Sequence, residues 1–144
     1  MKIIIRIFGL IVIGIVSTLI IMQSFEMNIY YDELVKISSL AMANTQIVMA
    51  ENIEDKYHGT QNSRILISNN DEYINLYRDN LNKLINTNAK YTISDHYADY
   101  QKGLLYVKVQ CEYRTINGKK KMYQNKLLNI IDVVEEWKKY LSIF

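Results

Sequence analysis

No charge interrupts the chain between Arg6 and Glu26, and the stretch Ile7–Met22, IFGLIVIGIVSTLIIM, is almost wholly apolar. Ile3, Ile4 and Ile5 extend it backwards past the single charge of Arg6. Counted from Ile3, the run matches the ~20 residues with which an α-helix crosses the hydrocarbon core of a bilayer. Water is absent there, so the backbone must hydrogen-bond to itself, and a helix does so. Each central Ile, Leu, Val or Phe favours insertion by roughly 0.3–0.6 kcal/mol. Gly9, Gly14, Ser17 and Thr18 offset part of the sum, which still favours insertion. Residues 1–24 therefore read as a transmembrane anchor and residues 25–144 as a small domain beyond it.

Lys2 and Arg6 precede the apolar run and Glu26 follows it. The positive-inside rule keeps such an amino terminus in the cytoplasm and places the rest outside. A cleaved signal peptide shares the basic start and apolar core, but needs small residues directly after the core. Gln23, Ser24, Phe25 and Glu26 stand there instead, so a retained, single-pass anchor is expected. The formal charge of +2 is supplied entirely by Lys2 and Arg6. The domain itself is charge-balanced, which argues against nucleic acid as its partner.

The chain has no proline and only five glycines, so long unbroken elements are permitted. Residues 25–57 continue the anchor as an amphipathic helix. Leu34, Ile37, Ala41, Val48 and Ile53 recur at helical spacing, with Leu40, Ala43 and Ile47 beside them. A helix from Ile3 to Tyr57 would run roughly 80 Å. Its upper stripe must be covered, either by its own domain or by neighbouring copies of the rod. Phe25, Tyr30 and Tyr31 suit either the headgroup belt or packing on the domain.

His58–Ser63 is a polar loop with a glycine stop. Arg64–Ile67 reads as a short strand. A second helix spans residues 71–86, with Ile74, Tyr77, Leu81, Leu84 and Ile85 on its apolar face. Asn69 followed by Glu72 resembles a capping box. Residues 90–131 read as three antiparallel strands. In the first, Tyr91, Ile93 and Tyr97 alternate and Asp95 breaks the pattern. Gln101-Lys102-Gly103 is a turn. In the second, Leu105, Val107, Val109, Cys111 and Tyr113 face one way and Tyr106, Lys108, Gln110, Glu112 and Arg114 the other. Asn117-Gly118 is a strong hairpin signal. Residues 132–141 form a short terminal helix with Asp132 near its positive end. The expected fold is α+β: a long membrane-spanning helix continuing into a three-stranded antiparallel sheet with one or two packed helices.

Chemistry-bearing motifs are few. Asp95 and His96 are adjacent and so lie on opposite faces of a strand, and neither His58 nor His96 has a spaced second ligand. There is no Gly-x-Ser-x-Gly, no glycine-rich phosphate loop, and Glu135-Glu136 are helix neighbours that cannot face one another. No catalytic residue, metal site or cofactor is expected. Cys111, the only cysteine, either fills the core as a small apolar residue or pairs with another molecule. Lys119-Lys120-Lys121 is a solvated hairpin tip or a contact for a polyanion. Twelve tyrosines against three phenylalanines suit a half-buried sheet, as core or as a sticky face. Gly14 and Thr18 form a small-xxx-small pair in the anchor, permitting close helix contact.

The order of features is basic start, apolar span, continuous amphipathic helix, second helix, then QKGLLYVKV, CEYRTINGKKK and LLNIIDVVEE. In that order the chain resembles the small pilin-like (TadE-like) proteins of tight-adherence, or Tad-type, pilus loci in Gram-positive bacteria. The resemblance implies a non-enzymatic envelope protein of a pilus or secretion machine. Membrane lipid and other pilin-like subunits or secretion-machine membrane proteins would be its partners, and a homo-oligomer is compatible. Prepilins carry Glu at the fifth position after a cleavage glycine. If Gly9 were that glycine, the position would hold Gly14, so a minor, membrane-retained component is the version implied. The alternative is a single-pass module whose external sheet binds a ligand or senses one. A cytoplasmic tail of about six residues is too short for an output domain.

Overall fold

The computed structural model describes residues 2–59 and 65–131. The terminal helix expected over 132–141 and most of the polar loop after His58 lie outside those residues.

Helix α1 runs unbroken over Lys2–His58, about 85 Å at 1.5 Å per residue. Its lower half is rich in isoleucine, an indifferent helix former in water. Two hydroxyls there turn back on the helix. Thr18 Oγ1 donates to Gly14 O at 2.8 Å and Ser24 Oγ to Ile20 O at 3.1 Å. Both are satisfied without solvent. Lys56 and His58 occupy the last turn, where cations suit the dipole, and Gly59 follows at φ +64°.

Helix α2 spans Asn70–Leu84. Asn69 caps it, accepting from Glu72 N at 2.8 Å. The Glu72 carboxylate accepts from Ser68 N at 2.7 Å and Ser68 Oγ at 2.8 Å, one residue earlier than a standard capping box. Those bonds, the Ser68 backbone N–H first, hold the Glu72 carboxyl below its usual range.

Strands β1 (Lys90–Asp99), β2 (Leu104–Arg114) and β3 (Lys120–Ile130) form an antiparallel sheet in sequence order. Leu105, Val107, Val109, Cys111 and Tyr113 are all buried on its inner face. There α1 lies over β3 and β2, while α2 packs on α1 and β1. Leu34, Ile37, Ala41, Met42 and Met49 of α1 meet Tyr73, Ile74, Leu76, Tyr77 and Leu81 of α2 in the same core. The architecture is the α+β arrangement expected, and the sheet and α2 cover one side of the upper helix.

Three local expectations are corrected. Leu40, Ala43 and Ile47 face outward, not into the stripe. Part of the buried seam of α1 is polar instead: Ser38, Thr45 and Asn52 stand seven residues apart, joined by Gln46 and Asp55. A β-bulge between Ile93 and Asp95 shifts the register of β1. Tyr91 and Ile93 point inward, whereas Tyr97 pairs with Tyr106 and is 59% exposed. Ile65–Ile67 is not a strand. Asn52 does the pairing there, donating from Nδ2 to Ile65 O at 2.7 Å and accepting from Ile67 N at 2.9 Å. The hairpin expected at Asn117-Gly118 forms between β2 and β3, and its turn is longer than the two-residue form, since Asn117 has negative φ. Gly118 N donates to Thr115 O at 2.8 Å and Gly118 itself lies at φ +75°, giving a longer turn closed by a left-handed glycine.

Candidate membrane anchor and head surface

Among the described residues, the lower half of α1 is the one stretch long and apolar enough to cross a membrane, and the head covers none of it. Ile3 to Met22 project side chains outward on every side; Ile13, at its middle, is 63% exposed. A helix apolar all round needs an apolar medium. A Cβ added at Gly9 or Gly14 would meet nothing.

Four tyrosines fasten the head to the rod just above this segment. Tyr30 stacks on Tyr113 with ring centroids 4.1 Å apart, and Tyr113 stacks on Tyr123 at 5.6 Å. Tyr31 meets Tyr123 edge-on at 5.7 Å. Of the two places open to Tyr30 and Tyr31, the structure assigns the domain; Phe25 remains exposed. The hairpin tip follows them down. Ile116 N donates to Glu26 Oε2 at 3.4 Å, and Lys121 Nζ lies 3.3 Å from Met27 Sδ. These contacts join residues some ninety apart in sequence. Only the aromatic residues flanking the anchor hint at them.

Higher up, the polar seam locks α1 to its neighbours. Ser38 Oγ donates to Leu34 O at 2.6 Å and accepts from Asn125 Nδ2 at 2.8 Å. Thr45 Oγ1 donates to Ala41 O at 2.7 Å and accepts from Asn80 Nδ2 at 3.0 Å. Gln46 Nε2 donates to the Tyr73 hydroxyl at 2.9 Å, which donates to Gly103 O at 3.2 Å. Tyr77 donates to Ser38 O at 3.3 Å. Burial pushes the Tyr73 hydroxyl up to about 12 and raises Tyr77 further. The period of seven in Ser38, Thr45 and Asn52 was a legible signal of this seam, hidden when only apolar residues are counted.

The residues weighed for chemistry do not converge. His58 and His96 are both exposed at separate places. Asp95 pairs across from Lys108 and His96 from Val107, which puts them on opposite faces. Among the described residues, no three His, Cys, Asp or Glu side chains group so as to hold a metal ion. Cys111 is a free thiol buried beneath the helices, and burial raises its pKa. Lys119 lies in the hairpin turn, and Lys120 and Lys121 open β3, all three exposed. Lys120 Nζ stands 2.8 Å from Glu112 Oε1, and this pairing lowers the Glu112 carboxyl. Glu135 and Glu136 lie outside the described residues.

No family model matches the chain, and no curated protein or solved structure matches it either.

Proposed function

We propose that the protein is a non-enzymatic, membrane-anchored structural component, a minor pilin-like subunit of a Tad-type pilus or a related secretion system. Its amino terminus lies in the cytoplasm and its head outside. The observation that carries this reading is the continuity of α1. One helix with no break runs from an uncovered apolar half into the core of the head. Whatever the lower half binds is thereby coupled rigidly to the sheet. The order of elements, helix then antiparallel sheet, agrees with the resemblance drawn from the sequence. The charges of Lys2 and Arg6 against Glu26 favour the stated orientation.

The head covers one side of the upper α1 and leaves Leu40 and Ile47 exposed on the other, so the wholly uncovered lower half is the larger surface for copy-to-copy assembly. Gly14 and Thr18, one turn apart, leave room for a second backbone to approach. The test is disulfide crosslinking of the full chain in cell membranes, with Gly14→Cys compared with Asn44→Cys on the outer side of the upper helix. Crosslinked dimers from Gly14→Cys, and few from Asn44→Cys, are expected. Monomers alone at Gly14→Cys would overturn assembly through the anchor.

A further inference from the structure

The total charge of the head conceals a polarity along its long axis. Helix α2 runs antiparallel to α1, since Tyr73 meets Gln46 while Tyr77 meets Ser38. The start of β1 and the β2–β3 hairpin therefore lie at the end next to the apolar segment. Lys90, Arg114, Lys119, Lys120 and Lys121 gather there: Lys90 pairs across from Glu112, and Arg114 from Lys120. The acidic groups facing them are Glu26 on α1, with Asp32 and Glu33 higher up, and Glu112, already occupied by Lys120. The opposite end carries Glu51, Glu54, Asp71, Glu72 and Asp99, with Lys56 and Lys102 among them. Asn70 binds Tyr100 N at 2.9 Å, which fixes the β1–β2 turn beside the start of α2 at that far end.

Height along the helix gives this polarity a partner. Glu26 and Met27 lie four and five residues beyond Met22, about 6–8 Å further along the axis. The headgroup layer on each side of the hydrocarbon core is about 5–8 Å thick. The hairpin tip touches Glu26 and Met27, and the stacked tyrosines hold it at that height. At the turn itself Ile116 is 58% exposed, flanked by the lysines.

We infer that the β2–β3 hairpin is a foot that rests on the anionic headgroups of the membrane holding α1. Lys119 and Lys121 bind lipid phosphates, Lys120 shares its ammonium between Glu112 and the lipid, and Ile116 dips into the interface. The acidic far end would be repelled on approaching the same surface, which disfavours a head lying flat. A headgroup phosphate accepts from lysine ammonium groups as point charges, with no fixed pocket required. Salt weakens the contact, because the charges are exposed. The inference rests on the anchoring reading and on nothing about assembly.

The test uses the full chain with an environment-sensitive fluorophore on Ile116→Cys, the buried Cys111 being changed to Ser. The chain is reconstituted in vesicles of phosphatidylcholine alone or of phosphatidylcholine with phosphatidylglycerol. A label on Lys102→Cys reports the far end. The 116 label should report a lipid-like environment in the phosphatidylglycerol vesicles and a more aqueous one in phosphatidylcholine. The 102 label should stay aqueous in both. Changing Lys119, Lys120 and Lys121 to Gln should weaken the 116 contact by roughly tenfold to a hundredfold, each lysine near an anionic surface being worth up to about fivefold. A 116 label that stays aqueous on phosphatidylglycerol, while the chain floats with the vesicles, overturns the foot and leaves the anchor standing. A shift produced only by a soluble polyanion such as a wall polymer overturns it equally. A chain that does not float with the vesicles overturns both.

Discussion

Below Met22, α1 leaves its side chains uncovered; from Tyr30 upward, one side is sealed by β3, β2 and α2. The backbone is the same in both halves. The lower half satisfies its hydroxyls on its own carbonyls, as Thr18 and Ser24 do. The upper half spends Ser38, Thr45, Gln46 and Asn52 on bonds to other elements. In lipid, a polar group without an internal partner has none, whereas a buried polar group in a folded head can find one on a neighbour. Ser38 and Thr45 make the same bond to their own helix as Thr18 and Ser24, and in addition accept one from a neighbouring element.

The comparison predicts that damage to one half leaves the other intact. Leu34, fully buried beneath the sheet, should show the largest effect: Leu34→Ala should destabilise the head by about 2–5 kcal/mol. Denaturant unfolding of detergent-solubilised protein measures this, and flotation with vesicles should be unchanged. Ile13→Arg should do the converse. It places a charge at the middle of the apolar run and should oppose insertion by about 3 kcal/mol. The floating fraction should fall while the thermal transition of the head stays put. A head that unfolds with Ile13→Arg would break the division between the halves.

A smaller effect belongs to pH. The Tyr73 hydroxyl is pushed up to about 12 from 10.0, chiefly by burial. The fold thus favours its neutral form. That stability is complete below pH 10, the unfolded value, and is lost as pH rises towards 12. Alkaline denaturation should steepen across this window, and Tyr73→Phe should flatten it, at the cost at neutral pH of the bonds with Gln46 and Gly103. The lower half contains no tyrosine, so its flotation should not be lost over the same range.

Much of this fold was legible in order of how local its cause is. The apolar run needs no partner to be recognised, because it lacks any charge between Arg6 and Glu26. The alternation through Leu105, Val107, Val109 and Cys111 declares β2 for the same reason. Asn69 with Glu72 marks the start of α2 within four residues. What stayed hidden depends on distant residues. Apolar Ile65-Leu66-Ile67 looks like a strand until Asn52 takes its hydrogen bonds. Tyr97 looks aligned with Tyr91 and Ile93 until the bulge turns it outward. Leu40 and Ile47 look like core until the hydroxyls of Ser38 and Thr45 claim the seam. The meeting of Ile116 with Glu26 follows from the whole head folding back on the rod. No local pattern announces it.

The seam has a mechanical consequence. Ser38, Thr45 and Asn52 bind β3, α2 and the segment before α2 at successive levels of one rod. A pull along the rod would therefore load these bonds side by side, in shear, and would not peel them open one after another. Slippage by a single turn would strand several buried dipoles at once. The head would hold its register under tension until it gave way as a unit.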